Sequence, residues 1–326
     1  MIDEQTIKAR IRSKFPKTSF PTAIDFKLSE NGKSIEILLN WKNIISENMQ
    51  VVGNAFEGWA IAVYLGMDKQ YDIKLGVKGD GKFSFEDYPH MARFLYRAMR
   101  FSEQYVWFQL SHDLEIQVKE FKTFLEEGTF VNNVPMQEAN SIEEADDSID
   151  INENIVESKL AEKGILSRVL GDELIGSGIV YRQLPVGLFK ENKSKDTSVF
   201  TYGHSAIDLW NINNDTFNVI ELKTNNRMLG IITEIFFYSN YIYDLLLGKS
   251  NFCLQAPKGE FRGYDKLYEN KDKVKRIKGI LLADDMKYHP CVTEETIGVL
   301  SNNKDIEIEY VLKSYHVEKM DIVICR

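Results

Sequence analysis

Residues 205–223 read SAIDLWNINNDTFNVIELK, and the architecture of the chain's second half follows from how they pair. SAIDLWNI (205–212) and FNVIELK (217–223) are strand-like runs separated by NNDT, a short turn, so together they predict a β-hairpin. Side chains alternate faces along a strand, which sends Glu221 and Lys223 one way and Leu222 the other. Asp208 lies on the neighbouring strand and can meet them across the pair. An acid flanked by Ala206, Ile207, Leu209 and Trp210 is costly to bury unless it is paired or binds a cation. Two carboxylates and a lysine on one sheet face suit Mg²⁺, a hard ion that takes one or two carboxylates and keeps several waters. The lysine is no ligand, but it can orient an attacking water or offset charge developing on a phosphate.

Outward from the hairpin the order is regular. NENIVESKLAEKGIL predicts a helix of about three turns with Ile155, Leu160 and Ile165 among its apolar positions. GIVYRQLPVGLF (178–189) reads as a strand before the hairpin, and a long apolar helix follows it over roughly 228–247. That helix lies in LGIITEIFFYSNYIYDLLLG (229–248), which is apolar enough to raise a membrane question. Glu234, Asn240 and Asp244 inside it argue for a buried helix instead. KGILLAD (278–284) reads as a buried strand and IEIEYVL alternates as another. Glu-x-Lys by itself carries no information, because it begins at Glu120, Glu157, Glu191, Glu221 and Glu269 alike. Glu221 alone closes a strongly apolar strand preceded by a strand with a lone acid.

Helix with Glu157, strand with Asp208, strand with Glu221-Leu222-Lys223, then helix and strand resembles the PD-(D/E)XK nuclease superfamily over roughly 152–284. The resemblance is greatest to its Mrr-like and NucS-like branches, which carry Gln-x-x-x-Tyr on the following helix; here Glu234 and Tyr238 have that spacing, with Glu in place of Gln. The RQLPVG segment with Gln183 is similar to the first core strand of such enzymes. A second departure is that no proline immediately precedes Asp208. The resemblance implies a restriction-endonuclease-like αβββαβ core. In it Asp208, Glu221 and the Leu222 backbone carbonyl would ligate Mg²⁺, for which Mn²⁺ would substitute. Lys223 would be the catalytic lysine and Glu157 the helix acid completing the site. Gln183, Glu234 and Tyr238 would be substrate-binding candidates. The implied activity is metal-dependent hydrolysis of phosphodiester bonds, of DNA above all, in repair, restriction or defence. The alternative is a nuclease-like core that has lost activity and only binds nucleic acid or protein.

The first half is less informative. AIDFKLSENGKSIEILLNW (23–41) predicts a hairpin turning at Asn31-Gly32. NAFEGWAIAVYLG predicts a buried helix ending at Gly66, YDIKLGVK and QYVWFQL predict strands, and FEDYPHMARFLYRAMRF and HDLEIQVKEFKTFLEEG predict amphipathic helices. We read an α+β N-terminal domain (1–136) that selects the target or a partner, an acidic linker (137–151) that lets it move, and the α/β nuclease-like domain (152–326). QEANSIEEADDSIDINEN (137–154) is polar, acidic and without apolar periodicity, as a linker should be.

The net charge is −9, but six acids and no base fall within 137–150, so the acidity is largely local and does not exclude a nucleic-acid partner. Segment 258–278 holds eight bases and four acids with Phe261, Tyr264 and Tyr268 interleaved. Lys258, Arg262 and Lys266 are its candidate DNA contacts, against the plainer reading of a solvated amphipathic helix. The N-terminal part leaves room for a protein partner, and a homodimer is open. Three cysteines without CxxC spacing exclude a disulfide framework and a thiolate zinc ribbon, and five histidines without HxxxH or HExxH spacing give no support to a zinc site or a histidine-metal nuclease. No GxxxxGK[ST] occurs, which excludes a P-loop ATPase. The N-terminus carries charges throughout and lacks the apolar core of a signal peptide, so the expectation is a cytoplasmic protein without a membrane partner.

Overall fold

Asp3 starts the first helix: its carboxylate accepts the Thr6 amide at 2.8 Å, and α1 runs Glu4–Lys14. The computed structural model describes residues 2–79, 84–139, 153–176, 178–200, 203–224, 227–248, 250–284, 288–304, 306–318 and 321–324. Most of the acidic stretch expected as a linker, residues 140–151, lies outside the described residues, as does Cys325.

The expected hairpin forms from β1 (Asp25–Leu28) and β2 (Ser34–Asn40), with Gly32 at φ +68° in its turn. Ile35, Ile37 and Leu39 are buried, while Glu36 between them meets Lys27 at 3.0 Å and Lys74 at 3.7 Å. The chain continues through α2 (Trp41–Ser46), α3 (Phe56–Gly66), β3 (Asp72–Lys78), α4 (Pro89–Gln104), β4 (Phe108–Leu110) and α5 (His112–Glu127). Strands β2, β3 and β4 are parallel neighbours, so helices carry the chain back between them. The strand expected from QYVWFQL shrinks to its last three residues. Next comes β5 (Phe130–Asn132).

Past the undescribed stretch, α6 runs Glu153–Ala161 and α7 Ile165–Leu170. The single expected helix is therefore broken, and Gly164 at φ +80° lies at the break. After α8 (Asp172–Ile175), GIVYRQLPVGLF divides into β6 (Tyr181–Val186) and β7 (Leu188–Lys190). Then follow β8 (Ser205–Asn213), β9 (Thr216–Lys223), α9 (Gly230–Leu246), β10 (Phe252–Cys253), α10 (Tyr264–Asn270), β11 (Arg276–Asp284), α11 (Glu294–Ser301), β12 (Ile308–Glu318) and β13 (Asp321–Ile324). The large sheet has the order β13-β12-β11-β9-β8-β6. Strands β6, β8 and β9 form an antiparallel meander, and β11 is parallel to β9 on one side and to β12 on the other. The large-sheet strands β6, β8, β9, then α9 and β11 follow the predicted order, but the first helix is split into α6 and α7 with α8 after it, β7 and β10 leave for a separate sheet, and α10 is inserted before β11.

Two features join the halves. The small sheet β10-β5-β7 pairs β5 from the first half with strands from the second. Helix α9, apolar on nearly every side, packs on the large sheet and also on α3 and α4. Its first residue is glycine because a Cβ there would lie 2.1 Å from the Gln50 carbonyl oxygen. Phe101 meets Phe236 edge-on at 5.2 Å, and a single buried cluster extends from Ile7 to Leu312. The first half is therefore held against the second by a continuous core as well as by the covalent connection.

The polar residues of α9 are satisfied across this junction. Asp244 accepts from Tyr96 at 2.6 Å and pairs with Arg100, and Asn240 accepts from Gln104 at 2.5 Å. These partners explain how the acid and amide tolerate burial. Among the described residues no helix is long and apolar enough to cross a membrane.

Candidate functional site

The β8–β9 register sets Leu209 opposite Ile220, which places Asp208 beside Glu221 one step further along. There the regular ladder gives way: the Leu222 amide donates to Asp208 Oδ2 at 2.9 Å. On the other flank, Arg182 opposes Leu209 and Leu184 opposes Ile207, so Gln183 lies across from Asp208. Gln183 has φ +54°, a left-handed conformation that costs a non-glycine residue about 1–2 kcal/mol. Two adjacent strands are therefore irregular at one row, the row that carries Asp208.

Lys223 is the hub. Its Nζ is 2.7 Å from Glu221 Oε1, 3.1 Å from Glu234 Oε2 and 3.9 Å from Glu153 Oε1. Glu153, at the start of α6, also accepts the Thr224 amide at 3.2 Å. Glu221, Lys223 and Glu234 are buried, Asp208 is half-buried, and Glu153 is exposed on one side. Three carboxylates therefore lie within 4 Å of one ammonium, and the charge of Asp208 acts on it from further away.

The electrostatics follow from that imbalance. Burial opposes the Lys223 charge, but Glu221, Glu234, Asp208 and Glu153 outweigh it and hold the ammonium well above its usual pKa. Burial, then the Asp208 and Glu234 charges, push Glu221 well above the carboxylate range. Burial raises Asp208 to about 7 against the pull of Lys223 and the Leu222 amide. Burial likewise raises Glu153.

These residues fit a divalent cation. Glu221 Oε2 is buried and has no hydrogen-bond partner among the described residues, while Oε1 is occupied by Lys223. The surplus of negative charge is what a cation would neutralise. Among the described residues no three His, Cys, Asp or Glu side chains are gathered as a metal cluster. Mg²⁺ does not require one, since two carboxylates such as Asp208 and Glu221 suffice when water and substrate complete its shell. The Leu222 carbonyl lies between Glu221 and Lys223 on the same strand.

The other expected residues are placed as follows. Glu157, one turn after Glu153 on α6, is buried and directed to β6: Arg182 donates to its Oε1 at 2.9 Å and Gln183 to its Oε2 at 2.6 Å. Burial raises its pKa against these two partners. The helix acid in contact with Lys223 is thus Glu153, which the sequence reading missed. Both acids lie on one helix face four residues apart, so spacing alone cannot separate them. Glu234, expected to touch substrate, is instead a direct partner of Lys223. Tyr238, one turn on, is buried, and burial followed by Glu221 and Glu234 keeps its hydroxyl protonated.

The basic segment uses much of its charge locally. Lys266 pairs with Glu269 at 3.0 Å and Asp265 at 3.2 Å, Arg276 with Asp215 at 2.6 Å, and Lys278 with Glu309 at 2.9 Å. Arg262, at φ +55°, donates to the Gln183 carbonyl at 2.8 Å, so it braces the strained strand. Lys258 is exposed. A cavity of about 520 Å³ next to the Glu157 cluster is lined by Tyr181, Arg182, Arg262 and Lys266, among others.

Compared with known proteins, the chain matches no family model, no curated protein and no solved structure.

Proposed function

We propose that this protein is a Mg²⁺-dependent nuclease that hydrolyses phosphodiester bonds of DNA, with Asp208, Glu221 and Lys223 at its chemical centre and a restriction-endonuclease-like core over residues 152–326. The observation that carries the reading is the buried, charge-unbalanced cluster at an irregular row of the sheet, with an orphaned Glu221 oxygen beside a protonated lysine. Buried charge that is only partly satisfied is expensive, and a bound cation would offset that cost.

In the reaction, water attacks phosphorus and one P–O ester bond breaks, leaving a phosphate monoester and a hydroxyl. Asp208 and Glu221 would hold Mg²⁺, which supplies positive charge to the phosphate oxygens and acidifies a bound water. Lys223, kept protonated by its carboxylates, donates hydrogen bonds to the attacking water and offsets charge as the ester bond breaks. Glu234 and Glu153 fix the direction of that ammonium. The groove beside Glu157, edged by Arg182, Arg262 and Lys266, is where the DNA backbone would run.

The test is incubation of wild type and Lys223→Ala with single- and double-stranded DNA and RNA in Mg²⁺ or Mn²⁺. We expect cleavage by wild type and a loss of about 100-fold or more in the variant. Equal rates in the two proteins would remove the catalytic role.

One observation favours a second reading, a nuclease-like core that binds without cutting. Glu234 stands where the resembled branches carry glutamine, and it draws Lys223 at 3.1 Å. Calorimetry separates the two: a catalytic site binds Mn²⁺ and loses that binding in Asp208→Asn, whereas a pure binding module need show neither.

A further inference from the structure

We propose that Arg93, which the first half of the chain contributes on α4, is an anion-binding residue of the same site and receives a phosphate oxygen at its Ser205 edge. The inference rests on the nuclease reading for the identity of the anion, but not for the existence of the anion site.

Arg93 is 3% exposed, and among the described residues the hydrogen-bond acceptors of its guanidinium are neutral, with the Glu234 charge acting only from further away. Nη2 is 3.1 Å from Asn48 Oδ1 and 3.2 Å from His90 Nδ1, and Nη1 is 3.4 Å from Ser205 Oγ. Burial, then the Arg93 charge, hold His90 below its usual pKa, so its imidazole is neutral and Nδ1 can accept. No carboxylate among the described residues pairs with Arg93. Its neighbours differ: Arg97 has Glu57 at 2.7 Å, Arg100 has Asp244, and Arg182 has Glu157 at 2.9 Å. A buried guanidinium without a counter-ion is costly, and the planar fork is the group best shaped for a phosphate.

Its position points to which anion. Ser205 begins β8 three residues before Asp208, and Ser205, Ala206 and Asp208 are all half-buried beside an exposed His204. The described residues at this end of β8 are thus only partly covered, and the anion would enter here. Burial and Arg97 lower the Arg93 pKa to about 10, while Tyr238 and Glu234 oppose that shift from across the site. A phosphodiester entering at Ser205 would have Arg93 on one side and Asp208 on the other. The first half of the chain would then supply part of the substrate-binding machinery.

The experiment uses the full chain. Thermal unfolding is followed in inorganic phosphate against potassium chloride of equal ionic strength, and binding of a short fluorescent oligodeoxynucleotide is followed by anisotropy without divalent metal. Phosphate is expected to raise the wild-type melting temperature. Arg93→Gln is expected to abolish that rise and weaken oligonucleotide binding about 10-fold or more, as loss of a charge-assisted hydrogen bond predicts. Ser205→Asp offers Arg93 a carboxylate, so it should raise the melting temperature in chloride and also abolish the phosphate response. Its opposite effect on stability keeps the test decisive if Arg93→Gln folds poorly.

No phosphate response in wild type, or an undiminished one in Ser205→Asp, overturns the proposal. Loss of the phosphate response with oligonucleotide affinity unchanged overturns the substrate role and assigns the site to free phosphate. A wild type that responds to phosphate through Arg93 but cuts nothing keeps the anion site and removes the nuclease reading.

Discussion

Consecutive residues of α9, Thr233 and Glu234, reach two ionic clusters of opposite character. Thr233 donates to Glu57 Oε2 at 2.8 Å, and Glu57 receives both Nε and Nη2 of Arg97 at 2.7 Å in a buried, charge-balanced, bidentate pair. Glu234 joins Lys223, Glu221, Asp208 and Glu153, where carboxylates outnumber the ammonium and one oxygen each of Glu221 and Glu234 lacks a hydrogen-bond partner among the described residues. Both have buried members, the first wholly so and the second only at Glu221, Lys223 and Glu234, and they differ in completeness. The first cluster has every oxygen answered and can serve as a joint between the halves of the chain. The second leaves buried carboxylate oxygens without a hydrogen-bond partner, which the proposed metal ion would answer.

Breaking the balanced cluster should have the largest effect. Glu57→Ala leaves the Arg97 guanidinium buried and unpaired, and a cost of about 3–5 kcal/mol is expected. Urea unfolding measures it, and a loss below about 1 kcal/mol would dissolve the contrast between the clusters.

A smaller effect is expected from pH on the unbalanced cluster. Asp208 has a folded pKa raised to about 7, above its unfolded value, so the folded state holds the proton more tightly. Below the ordinary carboxylate range both states are protonated and the full contribution is present. As pH rises toward about 7 it is lost, so the metal-free protein should become less stable across that interval. Saturating Mg²⁺, which binds the deprotonated form, should reverse that slope. Thermal unfolding across pH with chelator and with Mg²⁺ tests both signs.

The smallest effect sharpens the boundary of the site. Glu153→Gln removes a partly exposed partner of Lys223 and should weaken Mn²⁺ binding a few-fold, about 0.5–1 kcal/mol. Glu157→Gln, whose acid is committed to Arg182 and Gln183, should leave Mn²⁺ affinity unchanged. The reverse outcome in calorimetry would restore Glu157 as the helix acid.

What the sequence determined by itself is local in origin. Alternation over 205–223 places Asp208, Glu221 and Lys223 on one face because a strand has a period of two and a short turn sets its partner. The apolar run of α9 and its interrupting acids mark a buried helix for the same kind of reason. Tertiary structure decided the rest. The choice between Glu153 and Glu157 depends on which strand each turn of α6 faces, and the pattern is the same for both. The strands β5, β7 and β10 are two or three residues long, too short for periodicity to register, yet they stitch the halves together. An acidic stretch reads as a boundary from composition, but cores form by burial, and burial here runs from Ile7 to Leu312 without regard to it. Arg93 and Ser205 are separated by more than a hundred residues, so no spacing links them. Their meeting, and with it the character of the site, exists only once the chain has packed.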